Sequence, residues 1–155
     1  MTHDQLPHRT NKKNSQRKKQ LSILIMVFWG VLLSLNTWAH SFEELIDFKA
    51  ISFQWISTPN FLSFFKFNDI TTFHEDFFVV KLGHFIGFAI LDFLIFNVWR
   101  NHKAAASISI IFAFLTEFLQ LFFGRDGRLY DVIIDTLGVV SVYLLLKLNN
   151  TQRDK

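Results

Sequence analysis

Four long segments of the chain are rich in apolar residues and contain few charges, and polar stretches separate them. A helix rises about 1.5 Å per residue, so about 20 apolar residues span a hydrocarbon core of roughly 30 Å. The pattern therefore predicts an all-α membrane protein with four transmembrane helices. Their predicted bounds are about 21–39, 77–99, 104–123 and 129–148.

The predicted domain, residues 21–148, lies between a basic tail at 1–20 and a short polar tail at 149–155. The loop before the second helix is long, acidic and rich in Phe. We expect one or two short helices of this loop to lie in the membrane interface, anchored by Trp55 and the Phe side chains. Thr72 and Glu75 have the spacing of a capping box at the start of the second helix.

Composition excludes some chemistry, and the charges beside the helices predict their orientation in the membrane. Half of the 155 residues are hydrophobic, 20 are Phe, and none is Cys, which excludes disulfides and thiolate chemistry. The flanks on the side of the N-terminus hold eleven Lys and Arg, and the flanks on the other side hold four. This bias predicts both termini in the cytoplasm and the turn between the third and fourth helices outside.

The first segment has two further interpretations. A basic start, an apolar run and the sequence Thr37-Trp38-Ala39 resemble a cleavable signal peptide, although the apolar run is longer than usual. The basic tail also resembles a nucleic-acid-binding patch, but it directly adjoins a 19-residue uncharged run. We therefore expect membrane lipids as its partner and no nucleic acid.

Polar and charged residues gather near the predicted outer end of the last three helices and in the turn between the third and fourth. Along the helices they are spaced by three or four residues, so each helix carries one polar stripe. At about 1.5 Å per residue, Glu117 and Asp135 lie at the same depth. The pattern predicts a polar pocket that opens outside, with Gly138 allowing a close helix approach beneath it. Its predicted ligand-binding residues are Lys81, His84, Glu117, Gln120, Arg125, Arg128, Asp131 and Asp135.

Other interpretations of the same residues stay open. Three positive and three negative charges sum to zero, so they also fit a salt-bridge network that holds the helices in register, and such a network does not exclude a ligand pocket. His84 and Glu117 are the candidates for a general base if the protein is an enzyme. One His and three carboxylates could hold a divalent cation, but no pair of His residues has metal-ligand spacing, so we expect neither a metal site nor a cofactor. Ser107 and Ser109 are positioned to hydrogen-bond Asp92, which lies deeper.

Three motifs resemble the VanZ-like family of small bacterial membrane proteins. They are Lys81-Leu-Gly-His84-Phe, Glu117-Phe-Leu-Gln120 followed by Arg125, and Asp131-Val-Ile-Ile-Asp135-Thr-Leu-Gly138. The resemblance covers about residues 21–148, and the family pattern has Asn where this chain has Asp135. It implies a multi-pass protein of the bacterial cell membrane, in a family whose namesake is associated with resistance to the lipid-tailed glycopeptide teicoplanin.

The sequence and the resemblance together favour a membrane protein whose outward-facing pocket engages an envelope component. Candidate ligands are an anionic lipid headgroup, a cell-wall precursor or a glycopeptide antibiotic, whose effect the protein would lower. A membrane enzyme acting on such a headgroup is the first alternative, and a small transporter is the second.

Overall fold

The computed structural model describes residues 6–38, 55–67 and 75–153 of the chain. Within these residues all regular secondary structure is helical, and there are no strands. Each of the four α-helices described contains a segment long and apolar enough to cross a membrane, which confirms the predicted fold class. The elements are α1 (Leu6–Trp38), a 3₁₀ helix (Phe61–Phe65), α2 (Glu75–Trp99), α3 (His102–Gln120) and α4 (Leu129–Arg153).

Three helix ends differ from the prediction by three residues or more. Helix α1 begins at Leu6, so the basic segment is helical and continuous with the first apolar run, and α4 continues past 148 to Arg153. Helix α3 ends at Gln120 and not at Phe123, because the amide of Phe123 donates to the Gln120 carbonyl in a tighter, three-residue turn at 3.0 Å. Gly124 follows with φ of 70°, a conformation that ends helices and suits glycine.

The predicted capping box depends on Thr72, which lies outside the described residues. The same holds for residues 39–54 and 68–74 of the first loop. The 3₁₀ helix is the helical element of the loop among the residues described, and its place relative to the membrane interface stays a prediction, as does the orientation of the termini.

Helices α2, α3 and α4 form the packed centre of the molecule, and α1 lies against α2 and α3 at its side. Lipid tails are as apolar as Leu side chains, so such helices associate by close packing of small residues rather than by exclusion of water. Ala105 and Ala113 of α3 are accordingly fully buried. The core around them consists of Leu33, Phe88, Leu91, Ile95, Phe96 and Val139.

Residues 55–67 cover one end of the bundle, the end that holds residues 121–128 and is called the turn end below. The Trp55 ring stacks on Phe122 with centroids 5.4 Å apart. The Ile56 amide donates to the Phe122 carbonyl at 2.8 Å, and Phe64 is buried beside Leu121 and Val132. The first loop is therefore attached to the α3–α4 turn, close to the predicted polar layer.

Candidate functional site

Two glycines bring the backbones around the polar layer into contact. A Cβ atom on Gly138 would lie 2.2 Å from the Phe85 carbonyl oxygen of α2, and one on Gly127 would lie 2.0 Å from the Glu117 carbonyl oxygen of α3. Both distances are far below any real Cβ contact. Gly138 thus permits α4 to pack directly against the α2 backbone one residue beyond His84. Gly127 permits the turn to contact the α3 backbone at Glu117.

His84, Glu117 and Asp135 come from three helices and meet at one point. His84 Nδ1 lies 3.3 Å from Asp135 Oδ1 and 3.7 Å from Glu117 Oε1. Glu117 and Asp135 are fully buried, and His84 is partly exposed. Gln120 Nε2 donates to Glu117 Oε1 at 2.8 Å, so it fixes the orientation of that carboxylate. These four residues are called the His84 cluster below.

A second charged pair lies beside this cluster. Lys81 Nζ is 2.6 Å from Asp131 Oδ1, and it also lies 5.0 Å from the centre of the Tyr130 ring. Asp131 is buried, whereas Lys81 is partly exposed. The pair joins α2 to the first turn of α4, where a carboxylate is also favoured by the helix dipole.

The two predicted arginines contact backbone oxygens from other parts of the chain. Arg125 Nη1 donates to the Asn36 carbonyl of α1 at 3.1 Å. Arg128 Nη1 donates to the Ser63 carbonyl at 2.5 Å, and its Nη2 lies 3.4 Å from Asp126 Oδ1. Burial lowers the pKa of Arg125, and the carboxylates of Glu117 and Asp131 oppose this shift.

Two adjoining cavities open among these residues. A polar cavity of about 410 Å³ is lined by Lys81, Arg125, Arg128, Asp126 and Asp131, among others. An apolar cavity of about 270 Å³ lies between α1 and α2, with Leu33, Val79, Gly83 and Phe88 in its wall. Val80, His84 and Arg125 line both cavities.

The structure thus gathers all eight predicted site residues at the turn end, but it also adds residues that sequence reasoning missed. Asn36 and Ser63 contribute through carbonyl oxygens, which every residue has, so no side-chain signal marks them. Asp126 and Gly127 stood in the predicted turn. The Gly-Arg-Asp-Gly sequence indicated that turn, but not its contact with Glu117.

Asp92 and His102 lie nearer the other end of the bundle. Ser109 Oγ donates to Asp92 Oδ1 at 3.3 Å, which confirms one of the two predicted partners, while Ser107 is exposed. His102 is half-buried and stacks on the Phe96 ring with centroids 4.2 Å apart.

The fold and this layer define a multi-pass helical membrane protein with polar residues from three helices at one end. The sequence model of the VanZ/LLP1 family matches residues 20–150, and the chain belongs to this family. It is also similar to the uncharacterized membrane protein YwnJ of Bacillus subtilis (strain 168). The two are 31% identical over 129 residues, which cover 80% of this chain and 91% of YwnJ. No solved structure matches the chain.

Proposed function

We propose that this VanZ/LLP1 protein binds an anionic amphiphile of the cell envelope, with the headgroup in the polar cavity and part of the tail in the apolar cavity. The observation that carries the proposal is the junction of the two cavities at Val80, His84 and Arg125. A single molecule with a charged head and a hydrocarbon tail matches both environments.

The apolar cavity supplies the place for the tail. It lies between α1 and α2, where Trp29 Nε1 donates to the Gly87 carbonyl at 2.9 Å and holds the two helices together. Gly83 leaves open space there, since a Cβ on it would meet nothing within 4 Å. Binding sites for small molecules are mostly apolar with a few placed polar groups, which describes this pair of cavities.

The polar cavity supplies the charge for the head. Among the described residues that line it, the cationic side chains are Lys81, Arg125 and Arg128, against the two carboxylates of Asp126 and Asp131. Arg presents a planar fork of donors that suits phosphate and carboxylate groups, whereas Lys acts as a point charge. The lining therefore favours a phosphate or carboxylate headgroup over an uncharged one.

Lipid binding tests the proposal directly. The purified full-length chain in nanodiscs is titrated with phosphatidylglycerol, phosphatidylcholine or glycerol phosphate, and bound molecules are counted by native mass spectrometry. We expect phosphatidylglycerol to bind at least about tenfold more tightly than either of the others, because one lacks the net charge and the other lacks the tail. Equal binding of the two lipids would contradict the proposal.

Substitution of Arg125 adds a matched comparison. Arg125→Lys keeps the charge but loses the bidentate fork, so we expect weaker lipid binding with a melting temperature near that of the wild type. Lys103→Gln, at the exposed start of α3 and the opposite end of the bundle, is the control and should bind as the wild type does. Unchanged binding in Arg125→Lys and Arg125→Gln would place the headgroup elsewhere.

Two further ligands distinguish between possible roles of the pocket. An isoprenoid-linked cell-wall precursor and teicoplanin both carry a polar head and a lipid tail, and they are tested in the same assay. Cells that express Glu117→Gln or Arg125→Lys at normal abundance should lose any protection against teicoplanin if the pocket provides it. Release of product from a labelled lipid would instead identify an enzyme with His84 or Glu117 as general base.

A further inference from the structure

The His84 cluster contains more buried negative charge than its hydrogen bonds account for. Asp135 is 0% exposed, yet neither of its carboxylate oxygens accepts a hydrogen bond from the described residues. Glu117 is also 0% exposed and lies beside it. The nearest amine of the layer, that of Lys81, contacts Asp131. The His84 imidazole can neutralise at most one of these two carboxylates, and a second buried carboxylate without compensation is costly, so this arrangement suits a cation.

The distances within the cluster fit ligands of one metal ion. One atom each from His84, Glu117 and Asp135 can be chosen so that all lie within 4.8 Å of one another. Two ligand atoms that are each about 2.0–2.1 Å from a tetrahedral ion lie roughly 3.4 Å apart. The observed separations from His84 Nδ1, 3.3 Å to Asp135 and 3.7 Å to Glu117, are close to that value.

The surroundings provide the other features of a metal site. Gln120 Nε2 and the Arg128 amide donate to the two oxygens of Glu117, at 2.8 and 3.4 Å, and such outer partners orient ligating carboxylates. His84 borders both cavities, so a cation can reach the cluster from the polar cavity. Three protein ligands would also leave one position of a tetrahedral ion for a further ligand.

We propose that His84, Glu117 and Asp135 bind one divalent transition-metal cation, with Zn²⁺ and Mn²⁺ as the fitting ions. One imidazole nitrogen and two carboxylates combine a ligand typical of zinc with ligands typical of manganese. The site stands on the geometry of the cluster and does not depend on a lipid filling the cavities. The sequence predicted no metal site because no pair of His residues has ligand spacing, whereas this site has one His and two carboxylates that come from three helices.

The test measures metal content. The full-length chain is purified in detergent on a tag without histidine, stripped with EDTA and dialysed against Zn²⁺ or Mn²⁺ in separate arms, and bound metal is counted by mass spectrometry. We expect about one ion per chain for at least one of the two metals, and a higher melting temperature that EDTA reverses.

Variants locate the ion. Asp135→Asn and His84→Gln each remove one ligand at nearly constant volume and should weaken binding at least about tenfold. Asp92→Asn removes another carboxylate that is 1% exposed but lies outside the cluster, and it should bind as the wild type does. If Asp135→Asn does not fold, His84→Gln decides the question.

Two results would overturn the metal site. One is a wild-type chain that retains less than about one-fifth of an ion with either metal. The other is binding that persists unchanged in both ligand variants, which would place the metal on other residues. Loss of lipid binding in the Arg125 variants with metal binding retained would contradict neither proposal, because the two assays report different residues.

Discussion

Two carboxylates in the same bundle, Asp92 and Asp135, are both buried but differ in their surroundings. Asp92 is 1% exposed and accepts a hydrogen bond from Ser109 of the neighbouring helix. Asp135 is 0% exposed, accepts none from the described residues and lies against His84 beside Glu117. Neither of the two cavities described reaches Asp92, whereas His84 opens the Asp135 region to both.

The difference separates a buried carboxylate that holds two helices together from buried carboxylates that form a binding site. A single carboxylate with a hydroxyl donor satisfies part of its hydrogen-bonding capacity and joins two helices. Two carboxylates and an imidazole that converge without sufficient donors form a site that a ligand completes. The predictions that follow act on one member of this comparison at a time.

The largest effect is expected from Gly138→Ala. Its Cβ would collide with the Phe85 backbone oxygen, so α4 must move away from α2 and carry Asp135 away from His84. We expect a loss of about 3 kcal/mol in the free energy of unfolding, the upper part of the range for overpacking. Unfolding in detergent followed by tryptophan fluorescence measures it.

Gly83→Ala is the control for this change, since its Cβ meets nothing within 4 Å and alanine favours helix. It should be neutral or slightly stabilising. Equal losses in the two variants would show that the α2–α4 contact at Gly138 does not hold the His84 cluster together.

Lys81→Met should have the next largest effect. It leaves the Asp131 carboxylate without its ion-pair partner while keeping the length and apolar part of the side chain. Removing one partner of a fully buried pair costs about 3–5 kcal/mol, and partial exposure reduces this to about 2 kcal/mol. Lys103→Met, at an exposed position, should change the melting temperature little. A double variant with Asp131→Asn should recover part of the loss, and the absence of recovery would argue against the pairing.

Ser109→Ala acts on the other member of the comparison. It removes the donor to Asp92, and we expect a loss of about 1 kcal/mol because the bond is long at 3.3 Å. Metal and lipid binding should stay at wild-type levels. Ser107→Ala, on the exposed face of the same helix, provides the reference. A fall in metal binding in Ser109→Ala would mean that the two carboxylate regions are coupled.

Cysteine labelling tests on which side of the membrane the His84 cluster lies, and these substitutions should leave stability unchanged. The side chain of Asp126 is 83% exposed, and Ser15 is also exposed, at the opposite side of the bilayer in the predicted topology. In intact cells an impermeant thiol reagent should label Asp126→Cys and not Ser15→Cys. Labelling of Ser15→Cys alone would place the His84 cluster near the cytoplasmic surface.

The sequence by itself determined the helices and the polar stripes on them. Twenty apolar residues must form a helix in lipid because every backbone group has to be bonded within the segment. Helical periodicity then places Glu117 and Gln120 on one face, and Asp131 and Asp135 on another. The depth argument also placed these residues at one end of the bundle, and the partner of Asp92 was among the two serines predicted.

Only the tertiary structure decided which of these side chains meet. Periodicity fixes a stripe within a helix but not the rotation of one helix against another, and that rotation depends here on the close contact at Gly138. It sets His84 against Asp135 and Glu117 and leaves Lys81 to Asp131. The carbonyl oxygens of Asn36 and Ser63 are brought to the arginines by packing of α1 and the first loop, because a backbone carbonyl carries no sequence signal of its own.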